Sequence, residues 1–216
     1  MEKFPSVPSG PPYVGTVTEP ESFLEVPTLR GDHVVLDPLR PEHGPELAEA
    51  SAEGELWRLW VTTIPSPEQM TGEIERRLAL NRAGTMCPWT IRDAQTGRAV
   101  GMTTYMNIRA DHRRLEIGST WLAVSAQRTL INPEAKLLLL TRAFEELECV
   151  AVEFRTHWHN RRSRRAIEAL GAKQDGVLRN QDLWRDGTRR DVVVYSVIDG
   201  EWPSVRLGLR ERLSRP

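Results

Sequence analysis

WLAVSAQRTLINPEAKLLLL, residues 121–140, is the stretch that decides the fold. A strand pattern runs through Val124 into a polar loop, and the loop leads directly into a helical pattern. We predict Asn132 as the helix N-cap and Pro133 as the first helical residue, because both residue types are preferred at those positions. The loop amides and the helix dipole would then converge on one point, as in a phosphate site. Many strand-to-helix connections look alike and bind nothing, so the stretch alone leaves both interpretations open.

The flanking segments alternate between strand and helix patterns. Upstream, TLRGDHVVLDPL (28–39) predicts a strand, helices open at Pro41 and at Ser66, and three strands of period two follow from Pro88. Downstream come CVAVEFRTHW (149–158), a short helix capped by Ser163 and ended by Gly171, and strands around 176–184 and 191–199. The predicted order is β-α-α-β-β-β-α-β-α-β-β, an α+β domain.

Composition limits the classes of function. With 29 Lys and Arg against 30 Asp and Glu, the net charge is -1, which argues against a broad nucleic-acid or anionic-membrane surface. Cys87 and Cys149 stand outside any metal or disulfide spacing, so we predict two buried apolar residues. No signal sequence or membrane span is evident, which favours a cytoplasmic protein.

The N-terminal residues differ from the rest of the chain. Residues 1–25 contain five prolines and little periodicity, which predicts a mobile or surface-draped arm. Residues 26–216 are predicted to form a single domain.

Four stretches together resemble the GNAT acyltransferase superfamily, and within it the RimJ/RimL-like branch of ribosomal-protein N-acetyltransferases. They lie within about residues 28–206 and are EIGSTWLAV, QRTLINPEAKLLLLTRAFEEL, EFRTHWHNRRSRRAIEALGAKQDGVLRN and DVVVYSVIDGEWP. The resemblance implies a central, twisted, mostly antiparallel sheet of about seven strands flanked by about four helices. It also implies acetyl-CoA as co-substrate, an amine acceptor and no metal.

The resemblance places the cofactor phosphates on the loop before the third helix. The family pattern Q/R-x-x-G-x-G/A falls here on Gln127, Arg128, Thr129, Leu130, Ile131 and Asn132. Larger residues fill both glycine positions, so amide presentation requires helical φ angles at Leu130 and Asn132. In the family the preceding strand is bulged so that pantetheine can pair with open backbone groups. This strand corresponds here to Trp121, Leu122, Ala123 and Val124.

Three residues are candidates for proton transfer. Glu116 lies where many relatives carry a glutamate base, although it could equally be a salt-bridged strand carboxylate. Asn160 and Ser163 resemble the asparagine and serine that RimL-like enzymes place beside the cofactor, with the serine protonating the departing thiolate. Ser163 could also be a plain helix N-cap. Asp182 is an alternative base, although a polar turn residue is the commoner role at such a site.

The remaining candidates concern the acceptor pocket and charge. Amphipathic aromatic residues suit a partly dry cleft, and we predict a pocket lined by Trp57, Trp60, Tyr105, His157 and Trp184. His157 and His159 share a strand face, but without an evident third ligand we predict no metal site. We predict that Arg164 and its neighbours bind the adenosine 3′-phosphate of the cofactor rather than nucleic acid; the neighbours are Arg161, Arg162 and Arg165. Some of these arginines could instead be solvent-exposed helix residues without a ligand.

The sequence therefore predicts an acetyl-CoA-dependent N-acetyltransferase whose acceptor is a protein N-terminus or a small-molecule amine. A catalytically silent CoA-binding protein of the same fold is the alternative, because the loop lacks glycines. RNA or ribosome association through the arginine run is a third hypothesis. The resemblance also suggests a homodimer.

Overall fold

The computed structural model describes residues 20–214, which form one eight-stranded sheet flanked by five α-helices. The strands are β1 (Leu29–Arg30), β2 (Val34–Pro38), β3 (Met86–Asp93), β4 (Ala99–Arg109), β5 (Arg114–Leu122), β6 (Ala151–His157), β7 (Lys173–Leu183) and β8 (Arg189–Ile198). The helices are α1 (Gly44–Ala52), α2 (Met70–Arg82), α3 (Ile131–Thr141), α4 (Arg161–Glu168) and α5 (Trp202–Leu213).

The sheet order is β1-β2-β3-β4-β5-β6-β8-β7, and every pair is antiparallel except β5 with β6. This confirms the predicted α+β class and the mostly antiparallel sheet. One strand more than expected is present because residues 28–39 form a hairpin, β1 and β2, rather than one strand. Helix α5 was not predicted.

The two faces of the sheet carry separate cores. Helices α1 and α2 pack on one face, where Leu47 and Ile74 join Met102 of β4 and Trp121 of β5 in one buried cluster. Helices α3, α4 and α5 contribute to a larger cluster on the opposite face. We call these the α2 face and the α3 face. The consecutive residues Trp121 and Leu122 of β5 therefore belong to different cores, as the strand period requires.

The α3-face core corrects one predicted pocket residue. Tyr105 is fully buried, its ring lies 5.0 Å from that of Trp89, and its hydroxyl donates to the Leu139 carbonyl at 2.5 Å. Burial raises the pKa of this hydroxyl well above its ordinary value. Tyr105 therefore belongs to the core and does not line an open acceptor pocket.

Two of the predicted helix caps, Asn132 and Ser163, are displaced, whereas the predicted cap at Ser66 is confirmed. Helix α3 begins at Ile131 with Leu130 in the N-cap position, so Asn132 lies inside the first turn and caps nothing. Helix α4 begins at Arg161, and its N-cap is Asn160, whose side-chain oxygen accepts from the Ser163 amide at 3.0 Å. The cap is the residue at which the chain turns into the helix, and sequence preference alone does not fix that point.

A buried carboxylate fixes the start of α3 against the β1–β2 turn. Glu134 accepts from the amides of Asp32, His33 and Val34 at 3.0, 2.6 and 2.9 Å. Gly31 makes room for this contact, because a Cβ there would lie 2.4 Å from the Glu134 carboxyl carbon. These bonds stabilise the position of α3 and of the loop that precedes it.

The predicted N-terminal arm is too long. Residues 20–24 form a 3-10 turn, Phe23 is buried in the α3-face core, and Arg142 donates to the Ser22 carbonyl at 3.0 Å. These residues are part of the folded domain, which corrects the boundary at residue 25. The remainder of the predicted arm, residues 1–19, lies outside the described residues.

Two further sequence expectations concern the thiols and membrane spans. Cys87 and Cys149 are both buried and unpaired, and burial raises the pKa of each thiol to about 12, which confirms their apolar role. None of the helices described between residues 20 and 214 combines the length and apolarity needed to cross a bilayer.

Candidate active site

The central feature is a cleft between β5 and β6. The strands run parallel but pair only from Arg114 with Ala151 to Glu116 with Glu153. Beyond that point β5 continues to Leu122 and β6 to His157, but the two strands no longer pair with each other. The carboxyl ends of the two strands therefore diverge, and the backbone edges that face each other are open to a ligand.

A β-bulge accompanies this divergence. Between Met102 and Thr104 the register against β5 shifts, so Thr103 is opposed by two residues, Ser119 and Thr120. Ser119 has a φ of 46°, in the left-handed region. The family resemblance implied a bulged strand at 121–124. The bulge instead precedes Trp121, and only Trp121 and Leu122 of that segment belong to β5.

The residues after the bulge lead out of the sheet. Leu122 and Ala123 are buried, and the Ala123 amide donates to the Val100 carbonyl at 2.8 Å, whereas Val124 is exposed. β4 approaches closely here, since a Cβ on Gly101 would lie 2.1 Å from the Trp121 carbonyl oxygen. Among Leu122, Ala123 and Val124, the predicted cofactor-binding residues of this segment, only Val124 thus has a solvent-facing side chain.

The loop from 124 to 132 presents backbone amides at the start of α3. Leu130 has a φ of -77° and a ψ of -8°, and Asn132 is helical, so the condition for amide presentation without glycine is met. The positive φ of the loop, 65°, falls on Arg128. Within residues 20–214, the amides of Arg128, Thr129, Leu130 and Asn132 have no hydrogen-bond partner. Free amides at a helix start form an anion site.

Gln127 connects this loop to α4 across the mouth of the cleft. Its side-chain nitrogen donates to the Leu122 carbonyl at 2.8 Å, and its oxygen accepts from Arg162. Arg164 instead folds back: it donates to the Tyr195 hydroxyl at 3.0 Å and stacks 4.3 Å over the Trp158 ring. Arg128 and Arg162 are therefore better placed than Arg164 to meet a ligand at the cleft mouth.

Glu116 lies at the last paired position before the strands diverge. It is 5% exposed, and burial raises the pKa of its carboxyl, while a 2.7 Å hydrogen bond from Asn107 and the nearby Arg155 guanidinium, at 3.5 Å, oppose that shift. A carboxylate with a raised pKa is a stronger base than an ordinary one. Its position at the cleft suits it to accept a proton from a bound amine.

Asp182 belongs to the same charged group but is engaged. Its carboxylate accepts two hydrogen bonds from Arg190, at 2.8 and 2.5 Å, and it lies close enough to Arg155 to help raise the pKa of that guanidinium. Glu116 and Asp182 thus both neighbour Arg155. Glu116 is the better candidate base, because it is buried where the cleft opens, whereas Arg190 holds Asp182 through its Oδ2.

Ser163 lies in the first turn of α4 with a half-buried side chain. Its amide is bound by Asn160, but its hydroxyl has no hydrogen-bond partner among the described residues. Ser163 is therefore not the N-cap of α4, and its hydroxyl takes no part in capping. Ser163 retains a free hydroxyl beside the carboxyl ends of both strands.

Aromatic and imidazole side chains gather beside the cleft. The Trp60 ring lies 5.2 Å from that of His157, which in turn lies 6.0 Å from Trp184, and the Trp184 indole donates to the Trp60 carbonyl at 2.6 Å. This brings together three of the predicted pocket residues from distant segments. Trp57 contributes a carbonyl that accepts from Arg185 at 3.5 Å.

The surroundings of His157 favour the neutral form of its imidazole. Burial lowers the pKa of its imidazole, the nearby Arg190 guanidinium lowers it further, and Nδ1 accepts from the His159 amide at 3.0 Å. No set of three or more His, Cys, Asp or Glu side chains suited to a metal occurs in residues 20–214.

Sequence reasoning missed several residues of the site. Glu153 and Arg155 flank Phe154 on β6, and the alternation of polar and apolar residues in EFRTH could have revealed them as one polar strand face. Asn107, with a φ of 48° at a second register shift in β4, carries no such signal. Its contact with Glu116 arises only from pairing between β4 and β5.

Comparisons with known proteins agree with this geometry. Residues 33–173 match the family model "Acetyltransferase (GNAT) domain". The Bacillus subtilis (strain 168) protein YdaF, which carries the name of a ribosomal N-acetyltransferase, is 34% identical over 106 residues, 49% of this chain and 57% of YdaF. The matched part thus spans little more than half of that relative.

Solved structures extend the likeness to most of the chain. A crystal structure from T. thermophilus, described as an acetyltransferase, is 35% identical with a TM-score of 0.76, covering 86% of this chain and 96% of that one. Mycobacterium smegmatis RimJ in complex with CoA-disulfide is 22% identical with a TM-score of 0.71, over 87% and 93% of the chains, a likeness of fold alone. The chain therefore belongs to the GNAT acetyltransferase family, as its sequence motifs predicted.

Proposed function

We propose that this GNAT acetyltransferase transfers an acetyl group from acetyl-CoA to a primary amine by direct attack, in the cleft between β5 and β6. The observation that carries the proposal is the divergence of the two strands after Glu116 and Glu153, at the sheet end where the loop enters α3. One opening thus combines free strand edges, free helix-start amides and a buried carboxylate.

The residues at the cleft fit a CoA molecule. The free amides of Arg128, Thr129, Leu130 and Asn132 would bind the pyrophosphate, and the Arg128 and Arg162 guanidinium groups would add charge-assisted hydrogen bonds. The unpaired edges of β5 and β6 would hold the amide groups of pantetheine. The glycines absent from the loop are not required, because Leu130 adopts a helical conformation.

Two side chains account for the proton transfers. As the amine nitrogen bonds to the thioester carbonyl carbon, Glu116 accepts the proton that the nitrogen loses, directly or through water. The carbon–sulfur bond then breaks, and the Ser163 hydroxyl gives its proton to the thiolate as it takes up another from solvent. Asp182 remains an alternative base. No protein nucleophile is needed.

The acceptor would enter on the α2 face, beside the cluster of Trp60, His157 and Trp184. A peptide N-terminus or a small-molecule amine fits such a partly apolar entrance, and the name of YdaF favours a ribosomal protein. A cytoplasmic location would give access to both substrates. A homodimer remains a prediction.

The test is release of free CoA thiol from acetyl-CoA with a panel of amines, including ribosomal-protein N-terminal peptides, small amines and amino acids. We expect release with at least one class of acceptor and acetylation of its amine by mass spectrometry. Calorimetric binding of CoA without turnover of any acceptor would favour the silent CoA-binding alternative. Absence of both binding and turnover would refute the proposal.

A further inference from the structure

The bulge in β5 places a serine in an unfavourable backbone conformation. Ser119 has a φ of 46°, which is uncommon for a residue with a side chain and is unfavourable in free energy. Such a conformation persists only where surrounding contacts hold it. Without the extra residue, Trp121 and every residue after it would turn to the opposite face of the sheet.

On the α2 face, a buried arginine contacts the bulge. Arg77 of α2 is 2% exposed, its Nε donates to Glu73 at 2.7 Å, and one terminal nitrogen donates to the Ser119 carbonyl at 3.2 Å. Within the described residues its other terminal nitrogen has no hydrogen-bond partner. The cation is therefore buried with incomplete compensation, which is unfavourable for stability.

On the α3 face, a buried lysine contacts the same bulge. Lys136 of α3 is 5% exposed, and its Nζ donates to the Thr120 hydroxyl at 2.9 Å and to the Thr103 hydroxyl at 3.3 Å. The two hydroxyls also hydrogen-bond each other at 2.8 Å. No carboxylate in residues 20–214 forms an ion pair with Lys136, so its burial is also unfavourable.

We propose that Arg77 and Lys136 are positioning residues that hold the Ser119–Thr120 bulge from opposite faces of the sheet. They thereby set the direction in which β5 diverges from β6. Two buried basic side chains from different helices contact consecutive residues of one strand, at the point where the acyl-CoA cleft opens. A purely structural role would be served better by apolar side chains of similar volume. The inference rests on the proposed cleft, because it assigns these residues to keeping that cleft in shape.

The decisive variant is Lys136→Met, which keeps an unbranched side chain and removes the amine. We expect the Kd for acetyl-CoA to rise about tenfold or more, because small displacements in a binding cleft have large effects, while the urea midpoint does not fall. Arg77→Met should weaken binding in the same way. Arg142→Met is the matched control, since Arg142, like Arg77, is buried and ion-paired, with Glu146, but has no contact with the bulge. It should lower the urea midpoint and leave the Kd within about twofold.

Amide hydrogen exchange tests the inference independently of acetyl-CoA. In Lys136→Met the amides of residues 118–123 should exchange about tenfold faster or more, whereas those in the middle of α3 should not change. Unchanged exchange in this segment would overturn the inference, and so would wild-type binding and turnover in both Lys136→Met and Arg77→Met. If the wild-type protein itself fails to bind acetyl-CoA, the proposed function fails. Hydrogen exchange alone then tests whether Arg77 and Lys136 hold the bulge.

Discussion

Replacing Lys136 by methionine should stabilise the protein near neutral pH, by an amount that depends on pH. Burial lowers the pKa of Lys136 from 10.5 to about 7 in the folded state. Between these two values the unfolded chain binds a proton that the folded chain has released, so the free energy of unfolding of the wild type rises with pH across this window.

The magnitude follows from the two pKa values. They are roughly 3.5 pH units apart at 1.36 kcal/mol each, so burial of the amine destabilises the wild type by about 4 kcal/mol at pH 7 and by about 2 kcal/mol at pH 9. Lys136→Met removes this contribution but loses two hydrogen bonds of about 1 kcal/mol each. We therefore expect the variant to be about 2 kcal/mol more stable at pH 7 and roughly equal to the wild type at pH 9.

Urea unfolding of both proteins at pH 7, 8 and 9, at constant ionic strength, measures this difference. Ionisation of Cys87 and Cys149 in the unfolded state affects both proteins equally, so it cancels from the comparison. Arg142→Met should differ from the wild type by an amount independent of pH, because arginine stays charged throughout. A difference for Lys136→Met that is also constant from pH 7 to 9 would refute the reasoning.

Three further predictions concern the cleft. Glu116→Gln should lower kcat by on the order of 10²-fold. In the wild type kcat/KM should fall at acid pH as Glu116 becomes protonated, at a pH above that of an ordinary carboxylate because burial raises its pKa, and the variant should lose this fall. If the variant keeps the fall, the base is Asp182 or water. Ser163→Ala should lower the rate by on the order of 10²-fold. The free energy of unfolding should change by less than about 0.5 kcal/mol, because Asn160 still caps α4. A rate within about threefold of the wild type would mean that another group protonates the thiolate. Gly101→Ala should lower the free energy of unfolding, measured by urea titration, by about 2 kcal/mol or more, since its Cβ would lie 2.1 Å from the Trp121 carbonyl oxygen. The control Gly176→Ala should change it little, because no atom lies within 4 Å of the added Cβ. Equal effects of the two substitutions would contradict the close contact.

Prediction of helix ends and pocket residues from the sequence had a clear physical limit. Asn132 and Ser163 are good capping types, yet α3 is preceded by Leu130 and α4 by Asn160, because the neighbouring strands determine where the chain turns. Tyrosine is a residue type common in ligand pockets, but Tyr105 lies on the strand face that packs on α3. Side-chain type indicates what a residue can do, and its neighbours determine which of those roles it has.

The sequence by itself determined the family and the general architecture of this protein. Alternating strand patterns, the loop at 124–132 and the motif around Asn160 are local, so the chain carries them without reference to distant contacts. They sufficed to predict the α+β class, and their resemblance to the GNAT superfamily implied an acetyl-CoA-dependent acetyltransferase.

Only the tertiary structure determined how the cleft is built. Charged side chains in a sequence predict solvent exposure, and nothing local indicates that Arg77 and Lys136 are buried on opposite faces of one bulge. The same holds for Glu116, whose pKa is raised by burial in the assembled sheet, against the opposing effects of Asn107 and Arg155 from neighbouring strands. Burial of a charge depends on partners distant in sequence, so these contacts exist only once the sheet and both helix layers have assembled.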